Sequence, residues 1–130
     1  MKKEFINSWK RSVQPRKQIK FKENAPLHIK RKMISSRLSK ELTQKHGVRS
    51  MPLRKGDRVK IVVGTYKNVT GKIERVDTKR EKIFVEGTQR TKIDGTKSLY
   101  PIHPSNVIIQ ELSLDDKRRK QIMDRRGKKK

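Results

Sequence analysis

Lysine and arginine side chains, which bind anions, are the most abundant chemically active residues of this sequence. The 130 residues include 37 lysines and arginines against 13 acidic residues, which gives a formal net charge of +24. Cations in such excess bind the phosphates of a polyanion, and phosphate contacts supply much of the affinity of nucleic-acid-binding proteins. A merely solvated surface would carry lysine and glutamate in rough balance. The charge therefore predicts a nucleic-acid partner.

Catalytic and metal-binding chemistry find little support in the other polar residues. The chain has no cysteine, which excludes thiolate zinc sites and cysteine catalysis. The histidines His28, His46 and His103 lack the spacing of a metal site, and no nucleophile–base pair is suggested. The acidic pair Asp115 and Asp116 suits the start of a helix, where negative charge is favourable, and does not indicate a catalytic site. We predict no catalytic residue, metal, cofactor or small-molecule substrate, and hence no enzyme.

A membrane surface is the other polyanion that basic segments bind. The sequence has no run of about 18 uncharged apolar residues that could span a bilayer, and residues 1–5 precede no apolar stretch typical of a secretory signal. Neither end offers a lipid anchor or an amphipathic helix with a large apolar face. We therefore expect no membrane span and favour nucleic acid.

The charge is divided unevenly along the chain, and this division suggests the domain organisation. Residues 1–55 hold 17 basic and 3 acidic residues, residues 56–112 hold 11 and 7, and residues 113–130 hold 9 and 3. The nearly balanced middle is also where β-branched residues and glycines concentrate. We expect only residues 56–112 to fold independently, between two strongly basic flanks, and we expect residues 1–23 to be disordered when free and ordered on a polyanion.

The N-terminal flank divides into an arm and two short helices. Residues 1–23 lack apolar periodicity, which predicts an extended basic arm, and its aromatic residues Phe5, Trp9 and Phe21 are spaced too widely to form a core with one another. We predict two short helices and a linker in residues 24–55.

Capping residues place these two helices. Asn24 followed by Pro26 predicts a helix start, with residues 27–34 helical and Lys30, Arg31 and Lys32 projecting away from the apolar face. Ser39 predicts a second start, and residues 40–46 run to Gly47, a natural left-handed terminator. Both helices are too short to be stable alone, so they must dock on another surface.

The pattern changes to period two after Pro52. Val59, Ile61 and Val63 share one face of the first predicted strand. Five short strands with tight connections predict a mainly β fold, a small antiparallel SH3-like barrel. The predicted strands are residues 58–63, 71–76, 82–86, 99–102 and 106–111. Residues 113–130 predict a basic C-terminal helix and tail, capped at Ser113, with residues 117–126 helical.

The loop between the first two strands has the composition of an RNA contact. Gly64 and Gly71 bracket a sharp bend that can approach a partner closely. Lys67 and Lys72 frame it with charge, and Tyr66 supplies a planar face suited to base stacking.

We expect RNA contacts from this loop and from cationic side chains on both sides of it. The candidate residues are Arg16, Lys17, Lys20, Lys22, His28, Arg31, Lys32, Arg37, Lys40, Arg49, Arg54, Lys55, Gly64, Tyr66, Lys67, Gly71, Lys72, Lys79, Arg80 and His103.

The residues from Gly56 to Gly87 resemble the KOW motif of ribosomal proteins and transcription elongation factors, although Asn68 stands where that motif usually has a glycine. Asparagine is the next most tolerant residue for positive φ, so the turn that the motif implies can still form. Further segments (residues 13–18, 24–28, 38–42, 49–54 and 100–107) resemble, in order, the large-subunit ribosomal protein family twenty-four in its archaeal and eukaryotic form, called twenty-six in eukaryotes. The resemblance spans roughly residues 13–125.

This resemblance implies a cytoplasmic protein of the large ribosomal subunit. Its partners would be large-subunit rRNA, bound early in assembly near the nascent-chain tunnel exit, and neighbouring ribosomal proteins. The alternatives from the residues alone are a KOW-type transcription elongation factor and a general nucleic-acid-binding protein. An elongation factor would need a further globular domain, for which residues 1–55 are too basic and too poor in apolar residues.

Overall fold

Helices and short strands alternate in the first half of the chain, and strands dominate the second. The computed structural model describes residues 4–9 and 11–127. Its elements are α1 (Pro15–Asn24), α2 (Leu27–Met33), β1 (Ser35–Leu38), α3 (Lys40–His46), β2 (Ser50–Pro52), β3 (Arg58–Ile61), β4 (Thr70–Asp77), β5 (Lys82–Thr91), β6 (Lys97–Ile102), a 3₁₀ turn (Pro104–Asn106), β7 (Val107–Glu111) and α4 (Lys117–Gly127).

Helix α1 covers the end of the segment predicted to be extended, so that prediction is wrong for residues 15–23. Pro15 occupies the first helical turn, where its fixed φ favours helix and its missing N–H costs no hydrogen bond. Asn24 ends α1 and does not cap α2, whose N-cap is Pro26. Helix α1 has no buried residue, so it adds little to the core of the molecule.

The three aromatic residues of the N-terminal segment form a cluster, contrary to the prediction. The ring centroid of Phe21 lies 4.9 Å from that of Phe5 and 5.8 Å from that of Trp9. They meet because the chain before α1 returns along the helix and brings distant sequence positions together.

Helix α3 confirms its predicted bounds. The Ser39 hydroxyl accepts a hydrogen bond from the Leu42 backbone N–H at 3.3 Å, and the helix ends at Gly47 in the left-handed region, with φ of 66°. Both signals are local in sequence, so this helix could be placed without knowledge of the fold.

The strands form one seven-stranded sheet in the order β2-β1-β7-β3-β4-β5-β6. All five predicted strands are present, and β5 continues to Thr91, beyond its predicted end. Strands β1 and β2 were not predicted; β1 pairs antiparallel with β2 and parallel with β7. The order is open, with β2 and β6 at its edges, so strand pairing does not close the predicted barrel.

Register shifts on both sides of β5 bend this sheet. The register between β4 and β5 shifts between Ile73 and Arg75, and the register between β5 and β6 shifts between Phe84 and Gln89. Extra residues in one strand of a pair bend that strand and increase its twist. The bend folds the sheet over a core that includes Val59, Ile73 and Ile83, each at most 1% exposed.

Strand β3 is shorter than predicted, and this changes the position of Val63. Val59 and Ile61 are buried as expected, whereas Val63 is 59% exposed because β3 ends at Ile61. Val63 therefore lies on the loop and does not contribute to the core.

Helix α4 is joined to the turn before β3 by a buried ion pair. The Arg119 guanidinium donates to both carboxylate oxygens of Asp57 at 2.6 Å, and these residues are 3% and 0% exposed. The helix begins at Lys117, and the Asp116 carboxylate accepts from the Arg118 backbone N–H at 2.8 Å. The predicted helical segment is thus confirmed, but Ser113 is not its cap. Residues 128–130 of the predicted tail lie outside the described residues.

Candidate nucleic-acid interface

Most residues predicted to contact RNA lie on the surface. All are exposed except Arg54, Tyr66 and Gly71, which are partly buried. The structure gathers some of them into three clefts and leaves the others spread over the helices and strand edges.

The first cleft lies between α2, the turn before β3, and strand β4; we call it the α2–β4 cleft. It has a volume of about 510 Å³. Its basic lining residues are Arg31 from α2, Arg54 and Lys55 from the turn, and Arg75 from β4. Glu74, an exposed residue, is the acidic side chain that lines it. Cations supplied by separate elements surround one concave surface, which suits an anionic chain.

Two of these arginines are held by neighbours. Arg54 forms a salt bridge with Asp116, and the guanidinium carbon of Arg75 lies 4.2 Å from the centre of the Phe84 ring. The hydrogen bond from Arg54 lowers the pKa of Asp116 below its usual value of 3.8, with a further contribution from the Arg118 backbone N–H. Asp116 is therefore charged at neutral pH and offsets part of the positive charge of this cleft.

Arg75 was absent from the predicted set, and the irregularity in β4 explains why. In a regular strand Arg75 would share the face of Ile73, which is 1% exposed, and would point inward. The register shift between these residues turns Arg75 outward instead. An irregularity of this kind has no local mark in the sequence.

The second cleft, about 200 Å³, joins the glycine-flanked loop to the end of β6; we call it the loop cleft. It brings together the predicted residues Gly64, Tyr66 and His103 and adds Lys82, which was not predicted. The Tyr66 hydroxyl donates to the Gln89 carbonyl at 2.7 Å, and its ring centre lies 5.2 Å from that of Tyr100. Tyr66 therefore also supports the loop, and only part of its ring is accessible.

His103 has a structural role at the edge of the loop cleft. Its Nδ1 lies 2.7 Å from the Ser105 hydroxyl and accepts from the Ser105 backbone N–H at 3.3 Å. These contacts cap the 3₁₀ turn that leads into β7. The ring is exposed as well, so capping the turn does not remove it from the surface.

The two glycines of the loop are required for different reasons. Gly64 has φ of 105° and open space around it, so backbone conformation excludes other residues there. A Cβ on Gly71 would collide with the Glu86 carbonyl oxygen and lie 3.0 Å from Val85 Cγ1. Gly71 thus serves the contact between β4 and β5. Asn68 adopts φ of 70°, as predicted for its position.

The third cleft, about 190 Å³, lies between the end of α1 and the β4–β5 turn. It contains the predicted cations Lys22, Lys79 and Arg80, together with Lys30. Lys30 was expected to project into solvent, but it is 8% exposed, and its ammonium group donates to the Lys79 carbonyl at 3.4 Å. Glu23 and Glu81 also line this cleft, so its charge is partly balanced.

The other predicted residues are exposed but lie outside these clefts. Lys17 and Lys20 line a cavity beside the aromatic cluster of α1. The rest are distributed over α1, α2, β1, α3, the loops and β4: Arg16, His28, Lys32, Arg37, Lys40, Arg49, Lys67 and Lys72.

Residues 4–9 and 11–127 contain neither a cluster of metal-ligating side chains nor a membrane-spanning helix. Within these ranges no group of three or more histidine, cysteine, aspartate or glutamate side chains could hold a metal ion. Over the same part of the chain, no helix combines the length and the apolar character needed to cross a membrane.

The chain is similar to known proteins over nearly its whole length. A family model that describes the ribosomal proteins called L26 in eukaryotes and L24 in archaea matches residues 12–126. The large ribosomal subunit protein uL24 of Korarchaeum cryptofilum (strain OPF8) is 47% identical over 117 residues, which cover 90% of this chain and 89% of that protein. The matched family region contains all three clefts.

Proposed function

The chain belongs to the ribosomal protein family called L26 in eukaryotes and L24 in archaea, and on this premise we propose that it binds large-subunit rRNA through the three clefts. Membership of this family makes the chain a structural, non-enzymatic component of the large ribosomal subunit, located in the cytoplasm. Our proposal concerns binding to rRNA and the residues that contact it.

The basic lining of the α2–β4 cleft is the main support for this proposal. Arg31, Lys55 and Arg75 come from three different elements and line one concavity. Exposed cations repel one another when the protein is free, and a phosphate backbone in the cleft relieves this repulsion. The guanidinium groups can also form paired hydrogen bonds to phosphate oxygens.

The loop cleft supplies the second contact in this proposal. Gly64 leaves open space at the tip of the loop, and the neighbouring Lys67 is exposed. An RNA backbone can approach this part of the loop closely, with Lys67 on a phosphate and the accessible part of Tyr66 against a base or ribose. Gly71 is excluded from this contact because it packs against β5.

We propose further that residues 56–112 form an SH3-like barrel of the KOW type, with residues 1–23, 24–55 and 113–130 as attached segments. Support comes from the antiparallel order β7-β3-β4-β5-β6 and from the bend in β5. We also propose that the protein joins the subunit early and near the tunnel exit, beside neighbouring ribosomal proteins. The basis of that proposal is the family, together with the basic flanks.

Salt-dependent binding to large-subunit rRNA tests the α2–β4 cleft. The triple variant Arg31→Ala, Lys55→Ala, Arg75→Ala should bind more weakly, and its log–log salt slope should be shallower by about 2 to 3, since each lost phosphate contact removes roughly 0.7 to 0.9. The matched control replaces Arg118, Lys120 and Arg125, exposed residues of α4, and removes the same charge.

The two triple variants must differ if the cleft is the site. Equal loss of affinity in both would mean that net charge alone governs binding and would refute the assignment. Comigration of the native protein with the large subunit after a high-salt wash separates a subunit protein from a general nucleic-acid-binding protein, which the wash would remove.

A further inference from the structure

The aromatic cluster on α1 encloses a cavity that has no part in the fold just described. Phe5, Trp9 and Phe21 line it, and its volume is about 750 Å³, within the roughly 300–1,000 Å³ of typical ligand pockets. The rings are tilted by 31° to 36° and are not stacked face to face. Trp9 is 38% exposed, so an aromatic surface is open to solvent.

The core of the protein does not use this cluster. None of its three rings is among the buried core residues, and α1 contributes no buried residue. An aromatic surface that is neither buried nor needed for the core is typical of a binding site. The family match begins at residue 12, so Phe5 and Trp9 lie outside it.

Two lysines lie beside the aromatic surface. Lys17, Lys20, Phe21 and Asn24 line the cavity from one face of α1, at the three- and four-residue spacing that places side chains together on a helix. Both lysines are exposed. Glu4 is the acidic side chain at the rim, and it is exposed too. The ligand should therefore combine a flat apolar face with negative charge.

We propose that this cavity binds an unpaired base of single-stranded RNA, which stacks on Trp9 and Phe21 while Lys17 and Lys20 contact the flanking phosphates. Every base has a flat π face, so such stacking requires no particular sequence. The proposal rests on the proposed function for the nature of the ligand, but it adds a distinct site that discriminates single-stranded from double-stranded RNA.

Trp9 is the single tryptophan of the chain, so its fluorescence reports directly on the cavity. Titration of the full-length protein with a twelve-nucleotide oligoadenylate should quench this emission. A twelve-base-pair RNA duplex, whose bases are already stacked, should bind through the basic clefts without quenching it.

Phe21→Leu removes a stacking face and keeps an apolar side chain. It should weaken oligoadenylate binding about 5- to 150-fold, the usual effect of removing one aromatic platform, and leave duplex binding within twofold of the parent. The control is Val13→Ala, a change in an apolar residue just before the same helix, 89% exposed, which should alter neither affinity. Circular dichroism confirms that each variant is folded.

Five results would overturn the stacking site. If folded Phe21→Leu bound oligoadenylate with parental affinity, no base would stack on Phe21. If the parent bound oligoadenylate without any change in Trp9 emission, no base would stack on Trp9. Equal weakening of oligoadenylate and duplex binding would mean that the cluster only orders the arm. If the parent bound neither RNA, the proposed function would fail together with this site, whereas binding of the duplex alone would overturn only the site.

Discussion

Replacing Arg119 by methionine removes the cation that pairs with Asp57 and keeps a long apolar side chain. The two residues are 62 positions apart in sequence, and their ion pair joins α4 to the turn before β3. The guanidinium group also donates to the Ser113 carbonyl at 2.8 Å and to the Pro52 carbonyl at 3.1 Å. The substitution therefore releases α4 from several parts of the chain at once.

The expected loss in the free energy of unfolding depends on the Asp57 carboxylate, which stays buried in the Arg119→Met variant. Removing one partner of a buried ion pair costs about 3–5 kcal/mol because the other charge stays buried without compensation. In the variant, Asp57 keeps two donors, the backbone N–H groups of Arg54 at 2.9 Å and Ser113 at 3.0 Å. We therefore expect the lower end of the range, about 3 kcal/mol, out of a typical total of about 5–15 kcal/mol.

Urea unfolding followed by far-ultraviolet circular dichroism measures this loss, and urea is uncharged, so it does not screen the ion pair. Arg118→Met is the matched control, since Arg118 neighbours Arg119 on α4 but is exposed; it should change the free energy of unfolding by less than about 0.5 kcal/mol. The double variant Asp57→Asn, Arg119→Met leaves no buried charge and should be less destabilised than the sum of its single variants by about 2 kcal/mol. Equal unfolding midpoints for Arg119→Met and Arg118→Met would refute the anchoring role of the pair.

Three further predictions follow from the contacts. Gly71→Ala should lower the free energy of unfolding by about 1–3 kcal/mol, because the new methyl group collides with the Glu86 carbonyl; Lys72→Ala, an exposed change beside it, should leave the urea midpoint unchanged. Asp116→Asn should be less stable than the parent above pH 3.8, and the difference should shrink as the pH falls through the lowered pKa of Asp116; a difference that stays constant from pH 7 to pH 2 would contradict this. Deletion of residues 1–23 should preserve the melting temperature, since α1 buries no residue, and should weaken rRNA binding; a large loss of strand signal in circular dichroism would contradict independent folding of the sheet.

Elements whose signals are local could be predicted from the sequence, and those that depend on distant contacts could not. Helix α3 has a capping serine at one end and a left-handed glycine at the other, so both of its ends were placed correctly. Strands β1 and β2 have only four and three residues, and β1 exists because it pairs with β7, some seventy positions away. Helix α1 was missed because a highly charged segment that begins with proline resembles an extended arm.

The candidate site divides in the same way. Exposure of lysines and arginines follows from the cost of burying a charge, so most of the predicted residues were found on the surface. The grouping of these residues into clefts depends on topology, and the outward direction of Arg75 depends on the irregularity in β4. Nothing in the sequence distinguished Arg119, the buried cation, from its exposed neighbours on α4.

The described cations perform two separable tasks. Arg119 and Lys30 are buried and satisfied by a carboxylate and backbone carbonyls, so they hold elements together. Arg31, Lys55 and Lys67 are exposed, and their mutual repulsion opposes folding of the free chain. The ion pair of Asp57 stabilises the folded chain against this repulsion before RNA is present. The repulsion among the exposed cations is relieved only when RNA phosphates bind to them. Stability and RNA affinity should therefore respond to different substitutions, because the acidic partners that fix the fold are already occupied before RNA binds.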